Sequence, residues 1–501
     1  MTANNSNLNN ETQVQSFEVA EGDAFGDLLS PANIETGKKL KIGLLATSYF
    51  EFWRMYSSLR EQVEQDAKVV FERLSQKHDI VYSGVVDTID AADQAGRLFR
   101  DEQIDLLIMA YRAYIPDVYV HQLLSHLDGV PLLLFGSQSR DKFDYSDNYG
   151  GVLRNSGIMA LVQIVCGFRK MHGFSGQVKA IAGSIHDDEA YQKIDQYIKV
   201  ATIHKHLKTM TFGVIGQVFR GMFDFEYDKT KVKGALGPEI LSVQIDHLME
   251  TWNKTPQDDP DVKAMIEHAH KAYEVKGVGK SDLESAARVA VALQRLVKRF
   301  RLDGVALLCQ HFIEKKLKTT PYLGMAELHR SGFPGVTEGD VIGLIMMKIL
   351  HHLTGNMAFF VEWSEFDLEQ NAWMLLGHGF GDPSQARGGS ASLTPTAEQW
   401  GLEGTGCSTL FVPEPGPCTM AHFVEHSDRW RMFISGGELL DMDPLPIDDF
   451  HAMVKVERPI KEYTELLIEA GVPHHAITVR GDVRNELELL AGLLDIPTIK
   501  L

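Results

Sequence analysis

From Lys41 onward the chain alternates short apolar runs with amphipathic helical stretches: KIGLLAT, the segment from Phe50 to Gln76, DIVYSGVV, a helix from Ala91, IDLLIMA and PLLLFG. Strands alternating with helices in this way predict βαβ units and a parallel sheet. The rhythm resumes after the helical stretch Gly157 to His172, with VKAIAG, a charged helix from Asp187 to His206, and TFGVIG from Thr211, which predicts a second α/β domain. Past Asn356 the character changes. AFFVEW, AWMLLGHG, STLFVP, MAHFVEH and RWRMFIS are short β-rich segments separated by Gly, Pro and Asp, the pattern of an antiparallel sheet or barrel. The expected fold class is therefore α/β: two doubly wound α/β domains with parallel sheets, followed by a β-rich, antiparallel, barrel-like C-terminal domain. The expected boundaries are a loose tail over 1–37, an N-terminal α/β domain over 38–176, a central α/β domain over 177–355 and the β-rich domain over 356–501.

A length of 501 residues suits about three such units. The formal net charge of −19 repels phosphate backbones and anionic lipid surfaces, so neither nucleic acid nor a membrane is an expected partner. The longest apolar runs, such as VIGLIMMKIL from Val341, stop short of the roughly 18 residues that a membrane span needs. The opening residues are rich in asparagine and carry no Lys or Arg before Lys38, unlike a signal or transit peptide, so a cytoplasmic location is expected. Cys166, Cys309, Cys407 and Cys418 lie far apart and form no C-x-x-C, which suggests neither a disulfide framework nor a zinc ribbon.

Two glycine-rich stretches imitate nucleotide motifs without completing them. KGVGKS at Lys276 resembles the end of a phosphate loop, but Glu274 stands where its first glycine belongs. GHGFGD from Gly377 lacks the G-x-G-x-x-G spacing and opens no βαβ unit.

Metal chemistry has better candidates. Glu338 lies in GVTEGD, Glu362 in FFVEWSEFD, His378 sixteen residues later in MLLGHGFGD, and His474 and His475 adjoin in GVPHHAITV. Two carboxylates and two imidazoles, without thiolates, suit a divalent cation of the Mn²⁺ class. Each residue also has an ordinary reading: a Glu at a helix start offsets the helix dipole, and a His at a strand end is often half-buried and hydrogen-bonded. His351 and His352 are read in that ordinary way.

The sequence resembles the L-arabinose isomerase family, and more distantly the L-fucose isomerases. The resemblance rests on GFPGVTEGD before a long apolar helix, FFVEWSEFDLEQNAWMLLGHG, and GVPHHAITVRGDVRNELELLAGLLDIP. Weaker support comes from YRAYIPDVYV, PLLLFGSQS, AGSIHDDEAYQKI and VFRGMFDFEYD, in the same order. It implies a metal held by Glu338, Glu362, His378 and His475, with Mn²⁺ as the ion, and Glu338 and Glu362 as the acid/base pair that moves a proton between C1 and C2 of a free sugar through a cis-enediol. It implies further a sugar cleft between subunits of a homohexamer, with Gln138 and His474 as candidate substrate contacts and His474 also placed to orient the site. Phe312, after an apolar strand, is read either as lining the sugar face or as plain core.

The chain also departs from the family. Val361-Glu362-Trp363-Ser364 replaces Met-Glu-Asp-Tyr, which brings Glu365 forward as a rival to Glu362. Gly136-Ser137-Gln138 replaces His-Thr-Gln, and Thr47-Ser48-Tyr49-Phe50 replaces a Gln-His element. These last two positions hold the far end of the sugar, so the resemblance speaks for the chemistry more than for the substrate. L-Arabinose to L-ribulose is the first expectation, and a silent sugar-binding relative or a metal-dependent epimerase are the alternatives.

Overall fold

The computed structural model describes residues 39–171, 178–398, 401–427 and 429–501. The expected tail over 1–37 lies outside them. The first sheet is built from β1 (Lys41–Thr47), β2 (Asp79–Val86), β3 (Leu106–Tyr111), β4 (Leu132–Gln138) and β5 (Val178–Ser184), all parallel in the order β2-β1-β3-β4-β5. Successive residues of a strand point to opposite faces, and both faces of this sheet are covered. Ile42 and Leu44 pack with Ala67, Val70 and Leu74 of the helix Ser57–Ser75, while Leu45 packs on the other side with Ala92, Ala95 and Phe99 of the helix Ile89–Asp101. That is the doubly wound arrangement expected. β5 lies beyond the expected boundary at residue 176 yet completes this sheet, because the helix Gly157–Lys170 carries the chain back to run parallel beside β4.

The next strands are β6 (Thr211–Ile215), β7 (Glu239–Val243), β8 (Glu274–Val275), β9 (Gly304–Leu307) and β10 (Gly335–Val336). Four of them form a second parallel sheet in the order β10-β9-β6-β7. β8 stands apart from it and pairs with one strand from much later in the chain.

The remaining strands are β11 (Phe359–Asp367), β12 (Ala372–Gly377), β13 (Ser392–Pro395), β14 (Cys407–Leu410), β15 (Gly416–His426), β16 (Arg429–Leu439), β17 (His451–Lys455), β18 (His475–Arg480) and β19 (Thr498–Lys500). Six of them run β15-β18-β11-β12-β17-β16, and β16 pairs again with β15, so the antiparallel ladder closes on itself as a barrel. Closure removes the exposed sheet edges that would invite aggregation. β19 attaches to β16 in parallel, and β13 joins β14 and β8 in a small separate sheet.

The helix Val341–Thr354 joins the second sheet to the barrel. Its sequence VIGLIMMKILHHLT is apolar on nearly every side, and eleven of its residues are buried, as expected of a helix enclosed by other elements. Asp340 caps its start by accepting a hydrogen bond from Gly343 N, and Gly355 ends it in the left-handed conformation. Among the described residues, no helix is long and apolar enough to cross a membrane, and all four cysteines are free.

Candidate metal centre

Glu338 follows β10 in the turn that leads to the buried helix. It is a non-glycine residue in the left-handed region, with φ of +61°. Such a conformation costs about 1–3 kcal/mol and persists where the surroundings impose it. Here its carbonyl accepts a hydrogen bond from Phe219 N, and Gly339 N donates to Leu307 O at the end of β9. Gly339 has φ of +78°, and a Cβ there would lie 2.6 Å from Gln217 O, so only glycine lets the two backbones approach. The turn thus presents the Glu338 carboxylate, 3% exposed as a residue, toward the barrel.

The barrel supplies the facing groups through its register. Glu362 of β11 lies directly opposite His475 of β18 in the antiparallel ladder, so their side chains share one face. His378 follows Gly377, which pairs with Val361, and its ring lies 5.1 Å from that of Phe360. Phe360 also packs against His475, at 4.2 Å between centroids, and so braces both imidazoles.

At the centre, Glu338 Oε2 is 3.5 Å from His475 Nε2 and 3.9 Å from His474 Nε2, and Glu362 Oε1 is 3.1 Å from His378 Nε2. One side-chain atom from each of Glu338, Glu362, His474 and His475 lies within 4.8 Å of the others. Nε2 of His475 and Nε2 of His378 are both buried without a hydrogen-bond partner. Buried nitrogens of this kind are costly unless something occupies the space they face. Imidazole lone pairs aimed beside two carboxylates fit a divalent cation with oxygen and nitrogen donors.

Each histidine of the adjacent pair is anchored through its other nitrogen. His474 Nδ1 is 2.6 Å from Asp224 Oδ2, which also accepts from the His474 backbone N–H, and His475 Nδ1 is 2.9 Å from Asp340 Oδ2. Burial raises the Glu338 carboxyl, but its contacts with His474 and His475 outweigh that and hold it well below the usual carboxylate range. Glu362 is likewise raised by burial and lowered further by His378. Both are therefore ionised at neutral pH. Burial pulls the His474 imidazole down, yet Asp224 and Glu338 raise it to about 10.

The last shift has a testable sign. A folded-state pKa near 10 exceeds the ordinary 6.5, so the stabilisation is complete below pH 6.5 and is lost as pH rises through 10. In metal-free protein, denaturant melts at pH 7 and pH 10 should show a larger loss of stability for wild type than for Asp224→Asn. Equal losses would mean that Asp224 does not hold the proton on His474.

The cluster forms one end of a cavity of about 430 Å³, whose wall includes Phe219, Met222, Tyr322, Thr396, Ser408 and Asp449. Glu338, Glu362, His378 and His474 all line it. Glu365 is exposed, beyond a register shift in the β11–β12 pairing, so Glu362 alone of the two faces the cluster. The structure does not bring two other candidates to the cavity. Gln138 lines a separate cleft at the ends of β4 and β5 with Gly136 and Ser184, and Phe312 lies half-buried with Lys316 Nζ 5.9 Å from its ring centroid. His351 and His352 are on the last turn of the buried helix, outside the cavity wall. Asp224 and Asp340 were not singled out in advance, although both lie within stretches that carried the resemblance, VFRGMFDFEYD and GVTEGD.

Two parallel sheets joined to a closed barrel, with a candidate cation-binding cluster where the second sheet meets the barrel, define an α/β protein. No family model matches the chain. Among curated proteins it is similar to a sulfoquinovose isomerase of Priestia aryabhattai, 24% identical over 319 residues that cover 62% of this chain and 69% of that protein. It is also similar to L-arabinose isomerases, one of Serratia proteamaculans at 22% identity over 68% of this chain and 70% of that protein, and one of Aeromonas hydrophila at 22% over 92% and 94%. At 22–24% identity, these relatives support a divergent member of the arabinose isomerase-like family.

Proposed function

We propose that this sugar isomerase is a divalent-metal-dependent aldose–ketose isomerase acting on a free sugar, with L-arabinose to L-ribulose as the first candidate reaction. The enzyme class, an intramolecular oxidoreductase, follows from the named relatives. The observation that carries the finer reading is the convergence of two carboxylates and the imidazole of His475, whose Nε2 is buried without a hydrogen-bond partner.

Glu338, Glu362, His378 and His475 would hold the ion. The group within 4.8 Å includes His474 and not His378; His378, with Nε2 3.1 Å from Glu362 Oε1, is preferred as the ligand because Asp224 and Glu338 raise His474 to about 10 and keep its ring protonated. When bound, Mn²⁺ supplies Lewis acidity and orients two adjacent sugar oxygens. The chain's own residues do the rest. A carbon next to a carbonyl is a very weak acid in water, so a positioned base is needed. Glu338 or Glu362, both ionised, takes the proton from C2 and returns it to C1 through a cis-enediol, while the hydroxyl proton of O2 passes to O1 so that the carbonyl moves from C1 to C2. His474, kept protonated by Asp224, faces the cavity as a donor to a sugar oxygen.

The same proposal includes a homohexamer in the cytoplasm, with Gln138 and Phe312 meeting the sugar across a subunit boundary. The exposed Tyr149, Met159 and Val162 beside the first sheet are consistent with assembly. A coupled screen of pentoses, hexoses and deoxysugars with added Mn²⁺ tests the function. Ketose formed from at least one aldose is the expected result, and none formed from any sugar in the panel would refute it.

A further inference from the structure

Asp340 is fully buried and gives its two carboxylate oxygens to different tasks. Oδ1 accepts from Gly343 N at 2.8 Å and caps the helix Val341–Thr354. Oδ2 receives His475 Nδ1 at 2.9 Å and His422 Nε2 at 3.2 Å. His422 is on β15 and 1% exposed, and its Nδ1 is 2.6 Å from the carbonyl oxygen of Phe423. A carbonyl and a carboxylate both only accept, so His422 makes the two contacts as an imidazolium, donating from Nδ1 to Phe423 O and from Nε2 to Asp340 Oδ2. One carboxylate, through its two oxygens, therefore joins a helix start, a barrel strand and a residue of the candidate metal cluster.

The packing leaves this pair no slack. A Cβ on Gly343 would stand 2.4 Å from Asp340 Oδ2 and 3.1 Å from His422 Nε2, so glycine at that helical position makes room for the contact. Cap formation alone does not require it, since an N-cap needs a single acceptor oxygen.

We infer that Asp340, held in place by His422, is the positioning residue that sets the ligating tautomer and ring orientation of His475. By accepting from Nδ1–H, Asp340 leaves the lone pair of Nε2 facing Glu338 and the cluster. His422 occupies the rest of the same oxygen and fixes its direction. Neither residue touches the cavity, because neither belongs to its wall. The inference rests on the metal reading above and adds to it two residues, one of them 82 positions from its carboxylate partner.

Titration of Mn²⁺ into the full-length protein, followed by isothermal calorimetry, tests it on wild type, Asp340→Ser, His422→Gln and Gly343→Ala. Serine keeps an acceptor for the helix cap but cannot reach His475. Partners of this kind usually contribute 10- to 100-fold in metal affinity, so each variant should bind Mn²⁺ at least about 10-fold more weakly than wild type. Circular dichroism melts on the same samples report whether the fold survives. A Gly343→Ala protein that melts as wild type but binds more weakly would separate positioning from stability. If Asp340→Ser binds Mn²⁺ within twofold of wild type, whatever its melting temperature, Asp340 is a helix cap and the inference is wrong. A wild-type protein that takes up no Mn²⁺ refutes the metal reading, and the inference falls with it.

Discussion

Glu338→Gln is expected to lower kcat for ketose formation by about 10²- to 10⁴-fold, the range over which a positioned general base usually acts. Glutamine matches glutamate in shape and can still follow the turn at φ of +61°, so the loss should come from chemistry, not from folding. The carboxylate is held ionised by His474 and His475 against the opposing effect of burial, and an amide in its place has no lone pair basic enough to take a proton from carbon. Glu362 remains in that variant, and its own ionised state allows a residual rate. Discontinuous assays of ketose, with circular dichroism as the control on fold, would measure the effect. Turnover within threefold of wild type would remove Glu338 from the proton-transfer step.

Removal of divalent ions should have a comparably large effect. Dialysis against EDTA is expected to bring isomerisation to background, and Mn²⁺ should restore it, because the buried Nε2 atoms of His378 and His475 face the Glu362 and Glu338 carboxylates without a geometrically formed hydrogen bond. The same titration should raise thermal stability. Ligand at a hundred times its dissociation constant contributes about 2.7 kcal/mol to the folded state. Sugar binding that ignores EDTA, in protein shown by elemental analysis to hold no metal, would point instead to a catalytically silent binding relative.

The parallel sheets were legible because both faces of each strand are buried, which produces unbroken apolar runs such as IDLLIMA and PLLLFG. The return to strand pairing at Val178–Ser184 was legible as a strand, but not its membership in the first sheet, since a crossover helix does not announce which neighbour it delivers the next strand to. β8 was obscured for a related reason. Two residues, Glu274 and Val275, show no periodicity, and their partner β13 lies more than a hundred positions away.

At the centre, Glu338, Glu362, His378, His474 and His475 were visible through residue type and resemblance, and the structure gathers all five. What local pattern could not convey was the division of roles between His474 and His475, whose environments differ through Asp224 and Asp340. His422 was invisible. It sits in the apolar strand MAHFVEH, where a single histidine carries no signal until barrel closure sets it beside Asp340.

The pairing of Glu362 with His475 across adjacent strands has an evolutionary consequence. Their separation is dictated by a hydrogen-bonded ladder inside a closed barrel, whereas Phe219, Met222, Thr396 and Ser408 at the cavity wall belong to other segments. If the cavity takes the sugar as proposed, substitutions in those segments redraw its outline while the ladder keeps Glu362 and His475 at constant spacing. Such a scaffold lets relatives diverge in what they accept without renegotiating how they react.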